Sequence, residues 1–431
     1  MPVFHITVYY RSMAKYIITG QNPLSGEIKV NGAKNNCLKT IPATLMMQGI
    51  SKVHNVPYIE DLHRLTELME SLGAKITIEN NTCIIDPTIA TGTVLNSQKH
   101  QHTRVSVMLA GPVLHRNGSI KFPYPGGCVL GKRPIDFFLN GFRQFGVVVE
   151  EQPDGVTLYK QATLKPTKIV FPRISHTATE AMMTFATLVP GTSTLVNCAM
   201  EPEVVALAEF LNSCGAKITG AGSPTITIEG VTSLSGGETI TIPDRMEAGS
   251  FAALAATTQS HLKITGINPN HLDVFWEYLK LAGVKFELGV DNIEIFPSEL
   301  RAIGTGVITH EYPGFPTDLQ APITVMLTQA KGNTLVFETI YDGRLFFVDS
   351  LQTMGANVLM CDPHRVLISG PSKLAGTKLV SPDIRAGMAL VIAALAANGQ
   401  TEIDNVYQIE RGYENLVERL RGVGADILKT E

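Results

Sequence analysis

A glycine recurs along this chain at nearly constant intervals, and each time it closes the same pattern. SLGAKITI, QFGVVVEE, SCGAKITG, LAGVKFEL, TMGANVLM and GVGADILK set Gly73, Gly146, Gly215, Gly283, Gly355 and Gly424 apart by 73, 69, 68, 72 and 69 residues. Ahead of each glycine runs a stretch with apolar residues three and four apart: EDLHRLTELMES, PIDFFLNGFRQ, PEVVALAEFLNS, HLDVFWEYLKL, GRLFFVDSLQT and YENLVERLRG. That spacing predicts an amphipathic helix. Glycine supplies the left-handed residue that ends such a helix, and a β-rich segment follows. An internal repeat constrains architecture more than any single motif does.

Each unit carries an earlier helix as well. KNNCLKTIPATLMMQG, RVSVMLAGPVLHRNG, TATEAMMTFATLVPG, MEAGSFAALAATTQS, TDLQAPITVMLTQAKG and DIRAGMALVIAALAANG are rich in small and apolar residues on nearly all faces, which predicts full burial. One unit therefore reads strand, buried helix, strand, amphipathic helix, strand, strand. Six such units form either a solenoid or two bundles of three. A solenoid wants polar capping repeats, and the terminal units are ordinary. The expectation is two similar globular domains with helices inside and sheets outside. The first unit begins near the N-terminus, so the chain should cross between domains twice.

Composition removes several function classes. Apolar residues make up 44% and charged residues 17% of the 431, which suits large cores and argues against disorder. A net charge of −4 gives no general attraction to nucleic acid or an anionic membrane. The six cysteines are scattered without disulfide or metal-ligand spacing, and the eleven histidines show none either, so a reducing cytoplasm and no metal are expected. No apolar run approaches the roughly 18 residues of a membrane helix. The first twelve residues lack a secretory pattern, and Met13 is an alternative start to Met1.

Apolar spacing leaves a set of residues unexplained. PYPGGCVLGKRP, residues 123–134, sets Cys128 among glycines, prolines and the cations Lys132 and Arg133. Positive neighbours favour thiolate and attract anions. Gly126–Lys132 imitates a phosphate loop, but Arg133 stands where Ser or Thr must bind magnesium, which excludes that reading. Lys34 and Asn35 open one buried helix. The helix dipole opposes a lysine there unless an anion shares the site. Arg104 opens another apolar helix. Arg173, Ser175 and His176 precede a third, able either to bind a diphosphate or to cap it. Asp244, Asp318 and Asp383 each begin a helix, where capping is the common explanation. Arg344, Arg385 and Arg411 recur near helix starts and, with Arg104, Arg133 and Lys34, suggest a polyanionic ligand.

These residues stand in recognisable motifs: NGAKN at 31–35, PGGCVLGKRPID at 125–136, EPE at 201–203, PDRMEAG at 243–249, PGFPTD at 313–318, ETIYDGR at 338–344, DIRA at 383–386 and IERGYE at 409–414. In that order, from about Met13 to the C-terminus, the chain resembles the enolpyruvyl transferases. The resemblance implies an α/β fold, the inside-out α/β barrel, with two domains of three βαβαββ repeats each. The upper domain would span 34–242 with the Cys128 loop, and the lower would join 1–33 to 243–431. It implies transfer of the enolpyruvyl group of phosphoenolpyruvate to the 3′-hydroxyl of UDP-N-acetylglucosamine, through a tetrahedral intermediate and with release of phosphate. No metal or organic cofactor is implied, nor a nucleic-acid or membrane partner, and the chain is expected as a cytoplasmic monomer or weak homo-oligomer.

By the same resemblance, Cys128, Asp318, Lys34 and Arg411 are catalytic. Lys34, Arg133 and Arg411 would hold the phosphate of phosphoenolpyruvate, Arg344 and Arg385 its carboxylate, with Arg104 near the same anion. Asn35 and Asp318 would face the sugar, and Asp136, Ser175 and His176 the uridine diphosphate. His176 and Glu180 fall in a segment that varies across the family, and Ala206 stands where an acidic residue is common.

Overall fold

The computed structural model describes residues 14–95, 106–124 and 135–430. Cys128, Arg133 and Arg104 lie outside the described residues. Every expected helix ending is present. Gly73, Gly146, Gly215, Gly283, Gly355 and Gly424 all have φ between 83° and 104°, the left-handed region that a Cβ disfavours. The amphipathic helices ahead of them include Glu60–Ser71, Asp136–Gln144, Pro202–Ser213 and Asp273–Leu281. The fifth is shorter than its spacing predicts: residues 343–347 form turns and only Val348–Thr353 is helical. The sixth is split into Tyr407–Glu410 and Leu416–Gly422.

The buried helices are Lys34–Ala43, Ser106–Asn117, His176–Ala186, Arg245–Thr257, Gln320–Leu327 and Ile384–Ala396. Every residue of Arg245–Thr257 and of Gln320–Leu327 is buried, as their apolar circumference requires. Arg245–Thr257, Gln320–Leu327 and Ile384–Ala396 pack on one another, and Ser106–Asn117 packs on Lys34–Ala43 and His176–Ala186. Gly249 is one place where such contact needs glycine, because a Cβ there would collide with the Leu319 side chain.

Six sheets surround these helices among the described residues, five of four strands and one of three. Each four-stranded sheet is antiparallel except for one parallel pair at an edge. The buried side chains form two hydrophobic clusters. One runs from Cys37 to Leu234, and the other joins Tyr16–Val30 to Met246–Ile427.

The chain passes between the clusters at residues 30–33 and 241–244. These passages lie side by side: Ala33 N donates to Ile242 O at 2.7 Å, Asp244 N donates to Asn31 O at 2.9 Å, and Gly32 bridges Pro243. A Cβ on Gly32 would overlap the carbonyl of Asn55. Strands are exchanged across the passage. Ser25–Lys29 pairs with His261–Thr265, while Glu238–Ile240 pairs with Ser51–His54. Both passages lead straight into buried helices, so they set where Lys34 and Arg245 stand.

Candidate active site

Lys34 is the first residue of its helix, and the dipole objection to it is answered by a carboxylate. Its Nζ lies 2.6 Å from Asp61, which stands in the first turn of Glu60–Ser71. Arg411 reaches the same carboxylate from the other cluster, with Nε 2.9 Å from Oδ1 and a second nitrogen 3.4 Å from Oδ2. Lys34 and Asp61 are only 8% and 3% exposed. Burial lowers the Lys34 pKa, Asp61 opposes it, and the net value stays below that of an ordinary lysine. Burial would raise Asp61, but Lys34 and Arg411 outweigh it and hold the carboxyl below its usual range. Arg411 does not start a helix. It follows Tyr407–Glu410 as the C-terminal residue, where the dipole favours a cation.

Asp318 gathers a second pair. Arg344 Nη1 donates to its Oδ1 at 2.9 Å and to the Thr317 carbonyl at 2.8 Å, and Arg385 Nε donates to Oδ2 at 3.0 Å. Of the three helix-start aspartates, Asp244 and Asp383 cap their helices through side-chain bonds. The Asp318 carboxylate caps nothing and binds the two arginines instead. Burial would raise its pKa, yet Arg385 and Arg344 hold it far below the carboxylate range. Arg385 is fixed further by Tyr413, whose hydroxyl accepts from Nη1 at 3.2 Å and meets Ser250 at 2.9 Å. Arg344 keeps Nε buried without a hydrogen-bond partner among the described residues.

The two groups share one field. Arg385 contributes to the lowering of Lys34, and Asp244 Oδ2 accepts from the Lys34 backbone at 3.3 Å. Four cations thus converge from Lys34–Ala43, from the turn before Val348–Thr353, from Ile384–Ala396 and from the end of Tyr407–Glu410. Such an arrangement can pair with a small ligand that carries two separate anionic groups.

Ser175 caps His176–Ala186, its side chain accepting from Ala178 N at 3.3 Å. His176 Nε2 lies 3.2 Å from Glu180, and Lys39 Nζ lies 3.2 Å from the other Glu180 oxygen. Lys39 also donates to the Asn35 carbonyl at 2.9 Å, which ties this cluster to Asn35. Asp136 is exposed in the first turn of Asp136–Gln144, and the exposed Arg173 lies over the ring of the neighbouring Phe137.

Sequence reading missed Asp61, Tyr413 and the buried pair of Glu203 with Arg245, whose contacts run from 3.1 to 3.3 Å. Asp61 lies in the first turn of Glu60–Ser71, where an acidic residue is common and carries no signal of its own. The only available signal was Lys34 itself, which demanded an anion without naming one. Glu201, the residue before Pro202–Ser213, forms no side-chain cap. Among the described residues no cluster of His, Cys, Asp and Glu could hold a metal ion, and no helix is long and apolar enough to cross a membrane.

The chain is similar to known proteins over nearly its whole length. The family model for EPSP synthase (3-phosphoshikimate 1-carboxyvinyltransferase) matches residues 18–420. A UDP-N-acetylglucosamine 1-carboxyvinyltransferase of Halothermothrix orenii is 40% identical over 97% of this chain and 100% of its own. One of Treponema denticola is 40% identical over 96% and 99%. The crystal structure of the enolpyruvyl transferase NikO from Streptomyces tendae superposes with a TM-score of 0.88 at 26% identity, covering 97% of this chain and 99% of that one. With four buried or half-buried cations converging on two carboxylates, and with matches of this extent, the chain belongs to the enolpyruvyl transferase family described by the EPSP synthase model.

Proposed function

We propose that this chain transfers the enolpyruvyl group of phosphoenolpyruvate to the 3′-hydroxyl of UDP-N-acetylglucosamine and releases phosphate, the first committed step of peptidoglycan synthesis. The observation that carries this reading is the pairing of cations. Lys34 and Arg411 meet at one carboxylate, Arg344 and Arg385 at another. Phosphoenolpyruvate has a phosphate and a carboxylate to take their places. The names of the near-full-length relatives support the acceptor.

In this reading Asp61 and Asp318 hold the cations until substrate arrives. The sugar hydroxyl adds to C2 of phosphoenolpyruvate while Cys128 donates a proton to the C3 methylene, giving a tetrahedral intermediate. Loss of phosphate and of a C3 proton then yields the enolpyruvyl ether. A reference thiol pKa of about 8.5 keeps the proton on Cys128 at neutral pH, and a bound trianion raises that value. Asp318, held strongly acidic by its arginines, is a weak base. It orients the hydroxyl and takes its proton late, once negative charge on the substrate has drawn the arginines away. Asn35 faces the sugar, and Asp136, Ser175 and His176 serve the nucleotide, with Arg133 and Arg104 added on the anion side by resemblance. No metal or organic cofactor takes part.

The two hydrophobic clusters support two domains, 34–242 and 1–33 joined to 243–431, each an inside-out barrel segment of three βαβαββ repeats. The enzyme works in the cytoplasm as a monomer or weak homo-oligomer. A phosphate-release assay with phosphoenolpyruvate and a panel of acceptors tests the reading. Release is expected with UDP-N-acetylglucosamine. Release only with shikimate phosphate or a nucleoside would replace the acceptor, and tight nucleotide binding without turnover would make the chain a binding protein.

A further inference from the structure

Glu180 is fully buried inside His176–Ala186, and neither of its carboxylate oxygens makes a directed hydrogen bond within the described residues. A buried carboxylate without counter-charge is strongly disfavoured. Here a basic side chain stands at each oxygen. His176, one turn earlier on the same helix, brings Nε2 to 3.2 Å, and Lys39, on Lys34–Ala43, brings Nζ to 3.2 Å of the second oxygen. Lys39 is 10% exposed at its side chain and is spent on Glu180 and the Asn35 carbonyl. His176 is 22% exposed at its side chain and stands next to Ser175, at the open end of the helix.

We propose that Glu180, braced by Lys39, is a positioning residue that holds His176 as an imidazolium for the diphosphate of the sugar nucleotide, so that acceptor binding depends on the protonation of His176. An imidazolium donates from both nitrogens. Nε2 stands 3.2 Å from Glu180 as an ion-pair contact, with no directed hydrogen bond, and Nδ1 is the donor we assign to a diphosphate oxygen. The charged groups around the ring agree with this. Glu180 on its own helix and Glu201 before Pro202–Ser213 favour the proton, Lys39 opposes it, and Glu203 interacts with the ring as well. Burial would lower the His176 pKa, but the carboxylates outweigh it and the net direction is upward. The inference rests on the nucleotide reading above.

The sign follows. A raised histidine pKa means that the binding-competent imidazolium persists to higher pH than in an ordinary histidine and is lost as pH rises through the raised value. The diphosphate itself does not titrate in that range and the uracil N3–H does so only toward its alkaline end, so over the rest of the range the pH dependence reports the protein.

The test is calorimetric binding of UDP-N-acetylglucosamine to the full chain from about pH 6 to about pH 9. For the wild type, Kd should rise by roughly tenfold across the range, the loss of one charge-assisted hydrogen bond. Glu180→Gln keeps the shape but removes the charge, so the rise should begin at lower pH. His176→Gln should bind weakly at every pH with a flat profile, and it serves if Glu180→Gln does not fold. Superimposable wild-type and Glu180→Gln profiles, or an unchanged slope in His176→Gln, would overturn the proposal. Wild-type binding without phosphate release would sink the transfer reading while leaving the Kd profiles to judge this one; no wild-type binding would sink both.

Discussion

Asp61 keeps Lys34 usable. Lys34 is 8% exposed, and burial alone draws its proton off at lower pH than a surface lysine loses it. Asp61, 2.6 Å away, counters that loss. Asp61→Asn should therefore lower the Lys34 pKa further. Lysine serves the phosphate only when protonated, so the alkaline limb of kcat/KM for phosphoenolpyruvate should move to lower pH by about one unit or more. An unmoved limb in a pH–rate series would show that Asp61 does not govern Lys34. Cys128 invites a separate test from its chemistry. Cys128→Ala should cut turnover by about 10²- to 10⁴-fold, the worth of a general acid. Cys128→Asp, also a proton donor, should keep part of it and resist epoxide alkylation. Full activity in the alanine variant under steady-state assay would refute the acid role.

Among the elements, the helix Ile384–Ala396 shows how a cap becomes part of a site. Asp383 Oδ1 accepts from Arg385 N at 2.8 Å and Ala386 N at 3.0 Å. The cap satisfies two orphan donors and at the same time sets the backbone from which Arg385 reaches Asp318. Asp383→Ala should cost about 1 kcal/mol of stability and raise KM for phosphoenolpyruvate several-fold, read by thermal melting and steady-state kinetics together. Asp383→Ser should recover both, since a hydroxyl also caps. Loss of stability with no change in KM would confine Asp383 to the fold. This is also where the sequence was most legible. The glycine spacing located six helix endings because a left-handed residue is a local requirement. It did not reveal that residues 343–347 form turns or that Tyr407–Glu410 ends before Arg411, because short helices are decided by what they pack against.

Across the whole molecule, Glu203 and Arg245 join the two hydrophobic clusters. The pair is 1% and 8% exposed, and Arg245 also lies 5.3 Å from the Tyr312 ring centre. Burial would raise the Glu203 pKa, but Arg245 dominates and brings it to about 2. A depressed carboxyl stabilises the fold above its unfolded value and loses that contribution as pH falls through the folded one. The window is therefore from about 4.5 down to about 2, and its full depth is on the order of 3 kcal/mol. Urea denaturation of the wild type should weaken by about that amount across the window. In Glu203→Gln this share of the acid dependence should vanish and stability at neutral pH should fall by about 3–5 kcal/mol, the cost of leaving a buried charge unpaired. An unchanged acid dependence would remove Glu203 from the account.

Sequence by itself determined the repeat, its six helix endings and the buried helices, because these rest on local spacing, and it marked Lys34 and Arg385, cations at helix starts, as needing an anion. It did not reveal which carboxylates hold those cations. Asp61 and Arg411 are 350 residues apart, Asp318 and Arg385 are 67, and Glu203 and Arg245 are 42. Pairings over such separations leave no periodic trace in the chain. Tertiary structure alone decided them, by burying the charges together so that each had to find a partner within about 3 Å.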